Sequence, residues 1–299
     1  MSIDLSLYKQ LYSAGEHCQR VFVNHEESNL PSSIEQLIKV TEKSSKQNPL
    51  LCYLSLNLTN NEYNSLTNLI VNQAIIGQVI GQKLNFQSSS IKTLIKSSLL
   101  VLYEISEAIN SVKEDKNDKK AIQNELIKNS NIVFNRTFKL AKNLNYKDQA
   151  CLKLLSQIAN INTYSHCSQL SQTFVTLLLN VNIRANSDLF KEPLSIQACL
   201  AQLLLNKASP LLPTPYLPNY LSFFESLLTD KSLFIGNVIY EQSKHPMIVL
   251  SHDTDHQHCF CLNIKVKNNE AFKINTNVII KTKAQSKISF INLANLINQ

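Results

Sequence analysis

The stretch Tyr63–Phe86, YNSLTNLIVNQAIIGQVIGQKLNF, carries the clearest structural signal in the chain. Its apolar residues recur every three or four positions, which is typical of a helix with a broad apolar face. These residues are Leu66, Leu69, Ile70, Ala74, Ile76, Val79, Ile80 and Leu84. A polar turn follows, and a second apolar helix is predicted from about Ile91 to Ile109. The two segments predict two consecutive helices of a helical bundle.

Helical patterns flank this pair on both sides. Pro31 marks the start of a helix that ends before Pro49, because the residue before a proline disfavours helical geometry. Further helices are predicted over 50–58, 121–144, 147–183, 194–205 and 219–228. A rigid connector with four prolines spans 209–218, whereas residues 1–30 show only weak patterning.

The composition changes near residue 230. Runs rich in β-branched and aromatic residues predict strands over 234–240, 247–251, 259–266 and 272–283. The predicted fold class is therefore mainly α, a helical bundle followed by a small β-rich C-terminal subdomain. The predicted boundaries are an N-terminal extension over 1–33, a helical domain over 34–230 and the β-rich subdomain over 231–299.

Composition excludes several classes of protein. The chain has 299 residues but only 4 glycines, and it contains neither a phosphate loop nor a dinucleotide-binding fingerprint. Its 7 cysteines are irregularly spaced, and no CxxC occurs. The first residues do not resemble a secretory signal, and no apolar run is long enough to span a bilayer. We therefore expect a cytoplasmic protein with reduced thiols and no membrane span.

The positive charge is concentrated near the C-terminus. The formal net charge is +7, and only three of the 29 basic residues are arginines. A shortage of guanidinium groups disfavours specific recognition of nucleic acid. The residues from Cys261 onward contribute +5, six lysines less Glu270. These lysines form the candidate basic interaction face: Lys265, Lys267, Lys273, Lys281, Lys283 and Lys287.

One segment is rich in potential metal ligands. Residues 252–261, HDTDHQHCFC, supply imidazole and thiol groups, which are good zinc ligands, but their spacing matches no common zinc motif. A solvated turn between two strands is the favoured interpretation, so the sequence predicts no cofactor and no metal. The weak candidates for a metal are His252, His256, His258, Cys259 and Cys261. The His166–Cys167 pair is not a catalytic dyad, because adjacent helix positions point about 100° apart.

Several short strings resemble the HD-GYP family of the HD superfamily. The similar segments are Asn48–Leu51, Glu62–Tyr63, Asn72–Phe86 and Leu94–Leu102. The resemblance extends over roughly residues 34–265. It implies an HD-like helical bundle, which in that family cleaves cyclic di-GMP with a bound di- or tri-iron centre.

The ligands implied by the resemblance are missing. The family's first metal-binding histidine falls at Leu69, and its His-Asp doublet falls at Val101 and Leu102. The chain also lacks the Gly-Tyr-Pro triplet. The resemblance therefore implies a degenerate member that is not an enzyme and has no catalytic residues.

The sequence then predicts a non-enzymatic protein-interaction or scaffold module in bacterial signalling. Its expected partner is an acidic protein in cyclic di-GMP signalling, while the oligomeric state is not predicted. Two alternatives stay open. One is a metal-dependent HD-type phosphohydrolase with other ligands, and the second is an unrelated helical binding protein or effector.

Overall fold

The computed structural model describes residues 4–57, 62–111, 130–144, 148–159, 238–240, 246–252, 258–263 and 271–275. This part of the chain is mainly α-helical, as the sequence predicts. The helices are α1 Leu5–Val23, α2 Leu30–Gln47, α3 Pro49–Asn57, α4 Ser65–Lys83, α5 Ser88–Ser111, α6 Ser130–Asn143 and α7 Gln149–Ala159. A short 3-10 helix, Glu27–Asn29, precedes α2. The predictions over 160–228 lie outside the described residues.

The first helix differs from the prediction of an N-terminal extension over 1–33. A carboxylate oxygen of Asp4 caps α1 by accepting hydrogen bonds from the backbone N–H groups of Ser6 at 2.8 Å and Leu7 at 3.1 Å. The helix buries its apolar face in the same core as the helices that follow. Its signal is weak because tyrosine, alanine and cysteine occupy much of that face. The buried residues are Leu7, Tyr8, Leu11, Tyr12, Ala14, Gly15, Cys18, Val21 and Phe22.

The central helix is α4, in which every residue from 66 to 81 is buried. The side chain of Asn64 caps its start by accepting a hydrogen bond from the Thr67 N–H at 2.7 Å. The helix α1 crosses α4 at Gly15, where a β-carbon would overlap the Val71 side chain. Because glycine has no side chain at this crossing, the two backbones approach closely.

The turn between α4 and α5 is a Schellman motif. Asn85 has a φ of 55°, its N–H bonds to the Gln82 carbonyl at 3.0 Å, and the Phe86 N–H bonds to the Gly81 carbonyl at 2.9 Å. The predicted turn of residues 87–90 is shorter in the structure, since α5 already begins at Ser88. This turn directs α5 back along α4.

The C-terminal strands form a four-stranded antiparallel sheet in the order β1-β2-β3-β4. The strands are β1 Val238–Tyr240, β2 Pro246–His252, β3 His258–Asn263 and β4 Ala271–Asn275. Each overlaps a predicted strand, and the remaining parts of those predictions lie outside the described residues. In β2, Met247 and Val249 are buried. The register of β2 against β3 is interrupted by a bulge between Val249 and Ser251.

Candidate functional site

The three positions that the sequence resemblance aligns with metal ligands lie in the hydrophobic core. Leu69 in α4 is 6% exposed, while Val101 and Leu102 in α5 are each 1% exposed. All three belong to one contiguous cluster of buried residues. Their side chains are hydrocarbons without lone pairs, so they stabilise the core by burial and cannot bind a metal ion. That these positions once held ligands stays a prediction.

One helical turn after Leu69, α4 carries a buried amide that sequence reasoning missed. Gln73 is 1% exposed, and within the described part of the chain neither its Oε1 nor its Nε2 has a hydrogen-bond partner. The Oδ1 atom of the adjacent Asn72 likewise has no partner among the described residues. Buried polar atoms without partners are rare and destabilising. The signal available in the sequence was the pair of amides in the middle of an otherwise apolar run.

A second polar cluster joins three helices around Lys96 of α5. Its Nζ atom lies 2.7 Å from Oε1 of Glu35 in α2 and 3.2 Å from Oδ2 of Asp148, the residue before α7. Asp148 also accepts a hydrogen bond from the N–H of Cys151 at 3.1 Å and thereby caps α7. Burial lowers the pKa of Lys96, but the two carboxylates outweigh this effect, so the net shift is upward. The cluster fixes the relative positions of α2, α5 and α7.

A third group lies where α1 ends beside α5. His25 has a φ of 53°, and its ring centre lies 6.1 Å from that of Tyr103 in an edge-to-face arrangement. Burial raises the pKa of the neighbouring Glu104 carboxyl, whereas the Arg136 guanidinium opposes the shift. His25 closes a Schellman motif, which accounts for its backbone conformation.

The cysteines of the helical part are poor nucleophiles. Cys18, Cys52 and Cys151 are free and buried. Burial raises the pKa of the Cys18 and Cys52 thiols to about 12 and that of Cys151 to about 11. Because the thiolate is the reactive form, these thiols are unreactive near neutral pH. The His166–Cys167 pair lies outside the described residues.

Four of the five predicted metal candidates lie in the β2–β3 ribbon, the antiparallel pair of strands β2 and β3. In the backbone register, His252 at the end of β2 is the partner of Cys259 in β3. Cys261 follows two residues later in β3, and His258 precedes Cys259. The fifth candidate, His256, lies outside the described residues. The register therefore pairs His252 with Cys259. Cys261 lies on the same strand as Cys259, two residues further along.

Most of the candidate basic interaction face lies outside the described residues. Lys273 is placed in β4 as the register partner of Phe260. The other five members are Lys265, Lys267, Lys281, Lys283 and Lys287.

Among the residues whose side chains are described, no group of three His, Cys, Asp or Glu residues is arranged to hold a metal ion. No described helix combines the length and the apolar character that crossing a membrane requires.

Comparisons with known proteins leave the family of the chain open. No family model, curated protein or solved structure matches it.

Proposed function

We propose that this protein is a non-catalytic interaction module built on an HD-like helical bundle. One observation carries the proposal, namely that Leu69, Val101 and Leu102 occupy buried core positions on adjacent helices α4 and α5. A metal-dependent phosphodiesterase needs oxygen, nitrogen or sulfur ligands at such positions to hold the ions that activate water. Aliphatic side chains at these positions stabilise the bundle but cannot support metal-dependent hydrolysis.

What a bundle without ligands retains is shape and surface charge, because a fold alone does not specify an activity. We place the interaction on the candidate basic interaction face, whose lysines make the end of the chain strongly positive. A concentrated positive charge attracts acidic partners over about 8–10 Å at physiological salt and raises the association rate. The proposed partner is an acidic protein in cyclic di-GMP signalling.

Charge reversal tests where the acidic partner binds. The test variant carries Lys265→Glu, Lys267→Glu and Lys273→Glu in the full chain. The control variant carries Lys9→Glu, Lys39→Glu and Lys139→Glu, three exposed helical positions, so that both variants have the same net charge. Association with immobilised poly-glutamate, an acidic probe, is measured by biolayer interferometry from low to high salt.

The proposal predicts that the test variant associates at least tenfold more slowly than the wild type at low salt. The control variant should lose much less, and all three proteins should converge at high salt as screening removes the attraction. Equal losses in the two variants would show that the probe responds to net charge alone, and would contradict a localised basic interaction face.

A further inference from the structure

We propose that the β2–β3 ribbon binds one zinc ion through His252, Cys259 and Cys261. The observation behind this proposal is the bulge in β2, which the sequence does not reveal. The inference is independent of the proposed interaction function, since it concerns other residues and a different measurement.

The bulge decides which residue stands opposite Cys259. Val249 is the register partner of Cys261, and a regular ladder would continue by pairing Ser251 with Cys259. The observed partner of Phe260 is instead Ser251, and the partner of Cys259 is His252. The extra residue in β2 is Leu250. Because of this extra residue, His252 rather than Ser251 stands opposite Cys259.

The same register assigns the three residues to one face of the ribbon. Alternate residues of a strand belong to the same face, so Cys259 and Cys261 share a face, and directly paired residues in neighbouring strands also share one. His252 therefore joins the two cysteines, with β-carbons of directly paired residues typically about 4.5–5.5 Å apart. His258 is one residue from Cys259 and belongs to the opposite face.

The residue types match zinc chemistry. Imidazole nitrogen and thiolate sulfur are the commonest protein ligands of Zn²⁺, and one histidine with two cysteines leaves one tetrahedral position for a fourth ligand. On the other side of β3, the register partners of Cys259 and Cys261 are Ile274 and Phe272, which offer no competing ligand. Binding to neutral thiols releases protons, so the affinity should fall as the pH is lowered.

The experiment titrates the full, reduced, metal-free chain with Co²⁺ and then with Zn²⁺ under anaerobic conditions. Cobalt in a tetrahedral sulfur-containing site gives intense visible bands and a thiolate-to-cobalt charge-transfer band in the near ultraviolet. We expect these bands to saturate at one Co²⁺ per chain and to disappear when one equivalent of Zn²⁺ is added.

Variants assign the site, with His258→Ala as the matched control on the same strand. We expect His252→Ala to weaken Zn²⁺ binding at least tenfold and Cys259→Ser with Cys261→Ser to abolish the charge-transfer band. His258→Ala should bind as the wild type does. Circular dichroism of each variant checks that the helical part is folded, and His258→Ala shows whether a substitution in β3 by itself disturbs binding.

Three results would overturn the proposal: a wild-type chain that binds less than one Zn²⁺, a charge-transfer band that survives in the double cysteine variant, or equal loss of binding in His252→Ala and His258→Ala. The first would show that the ribbon is a metal-free hairpin. The second would show that other thiols of the chain bind the metal. The third would show that lying on the same face as Cys259 and Cys261 does not decide which histidine binds.

Discussion

Lys96 Nζ lies 2.7 Å from a carboxylate oxygen of Glu35, and this ion pair joins α5 to α2. The Lys96 side chain is 9% exposed, whereas that of Glu35 is 41% exposed, so one partner is buried and the second is hydrated. Asp148, at 3.2 Å from the same Nζ atom, adds a contact to the start of α7. A single lysine thereby links three helices.

We expect Lys96→Met to lower the free energy of unfolding by about 1–2 kcal/mol at pH 8, because it removes both ion pairs while keeping the buried stem. Lys92→Met is the matched control one turn earlier. Its Nζ lies 3.4 Å from Glu42 and its side chain is 42% exposed, so the change should be under about 0.5 kcal/mol. Urea unfolding followed by circular dichroism measures both.

The pH dependence of the same variant follows from the raised pKa of Lys96. A group whose pKa is higher in the folded state stabilises the fold below its unfolded pKa, here 10.5. That stabilisation is lost as the pH rises through the folded value. The difference between wild type and Lys96→Met should therefore be constant from pH 8 to 10 and shrink above pH 10.5. A difference that grows with pH would contradict this assignment.

For the buried amide of Gln73 we expect the opposite effect, namely that its replacement stabilises the fold. Because neither polar atom has a partner among the residues that the structure describes, Gln73→Met should raise the free energy of unfolding by about 1–3 kcal/mol. Asn68 on the same helix donates hydrogen bonds at 3.1 Å to the carbonyls of Tyr63 and Asn64, so Asn68→Leu should be destabilising. If both substitutions destabilise the chain, Gln73 has a partner such as an ordered water.

The left-handed backbone at Asn85 predicts the order of stability of chains that carry glycine, asparagine or alanine at this position. Left-handed backbone is free of strain for glycine, tolerated by asparagine and costly for alanine by about 1–2 kcal/mol. Asn85→Gly should therefore be slightly stabilising, and Asn85→Ala should destabilise by about 1 kcal/mol. Thermal unfolding of the three proteins gives the order, and an alanine variant as stable as the wild type would refute the motif.

Much of the helical part is predictable from the sequence because helix formation leaves a local signature. The spacing of apolar residues in Tyr63–Phe86 gives α4 to within a few residues, and Pro31 and Pro49 mark where α2 and α3 begin. The helix α1 was missed as part of the core, because tyrosines and small residues weaken its apolar contrast. The partners of Lys96 were missed as well, since Glu35 and Asp148 are distant in sequence.

The ribbon shows a different limit of sequence reasoning. The strands around Cys259 and Cys261 are predictable from their residue types, but a bulge is a property of the pairing between two strands. Nothing in the sequence of residues 247–252 indicates that Leu250 is the extra residue. Whether His252 or Ser251 stands opposite Cys259 is therefore decided by the register alone.

Placing a carboxylate at position 101, which the sequence resemblance aligns with a metal ligand, tests whether the core there excludes water and metal ions. We expect Val101→Asp to lower the free energy of unfolding by at least about 3 kcal/mol, because an unpaired carboxylate is costly in an apolar core. Val101→Ala should cost about 1–3 kcal/mol through the lost methyl groups alone. If the aspartate variant is no less stable than the alanine variant, water or a metal reaches the site.

Hydrolysis of cyclic di-GMP tests whether the helical bundle lacks a catalytic metal centre. The purified full chain is incubated with Fe²⁺ or Mn²⁺ under anaerobic conditions, and linear products are separated by chromatography. We expect no product above the background given by metal and buffer, because Leu69, Val101 and Leu102 supply no ligand to a metal centre. Metal-dependent turnover that persists when Cys259 and Cys261 are replaced by serine, and so does not arise at the ribbon, would contradict a non-catalytic bundle.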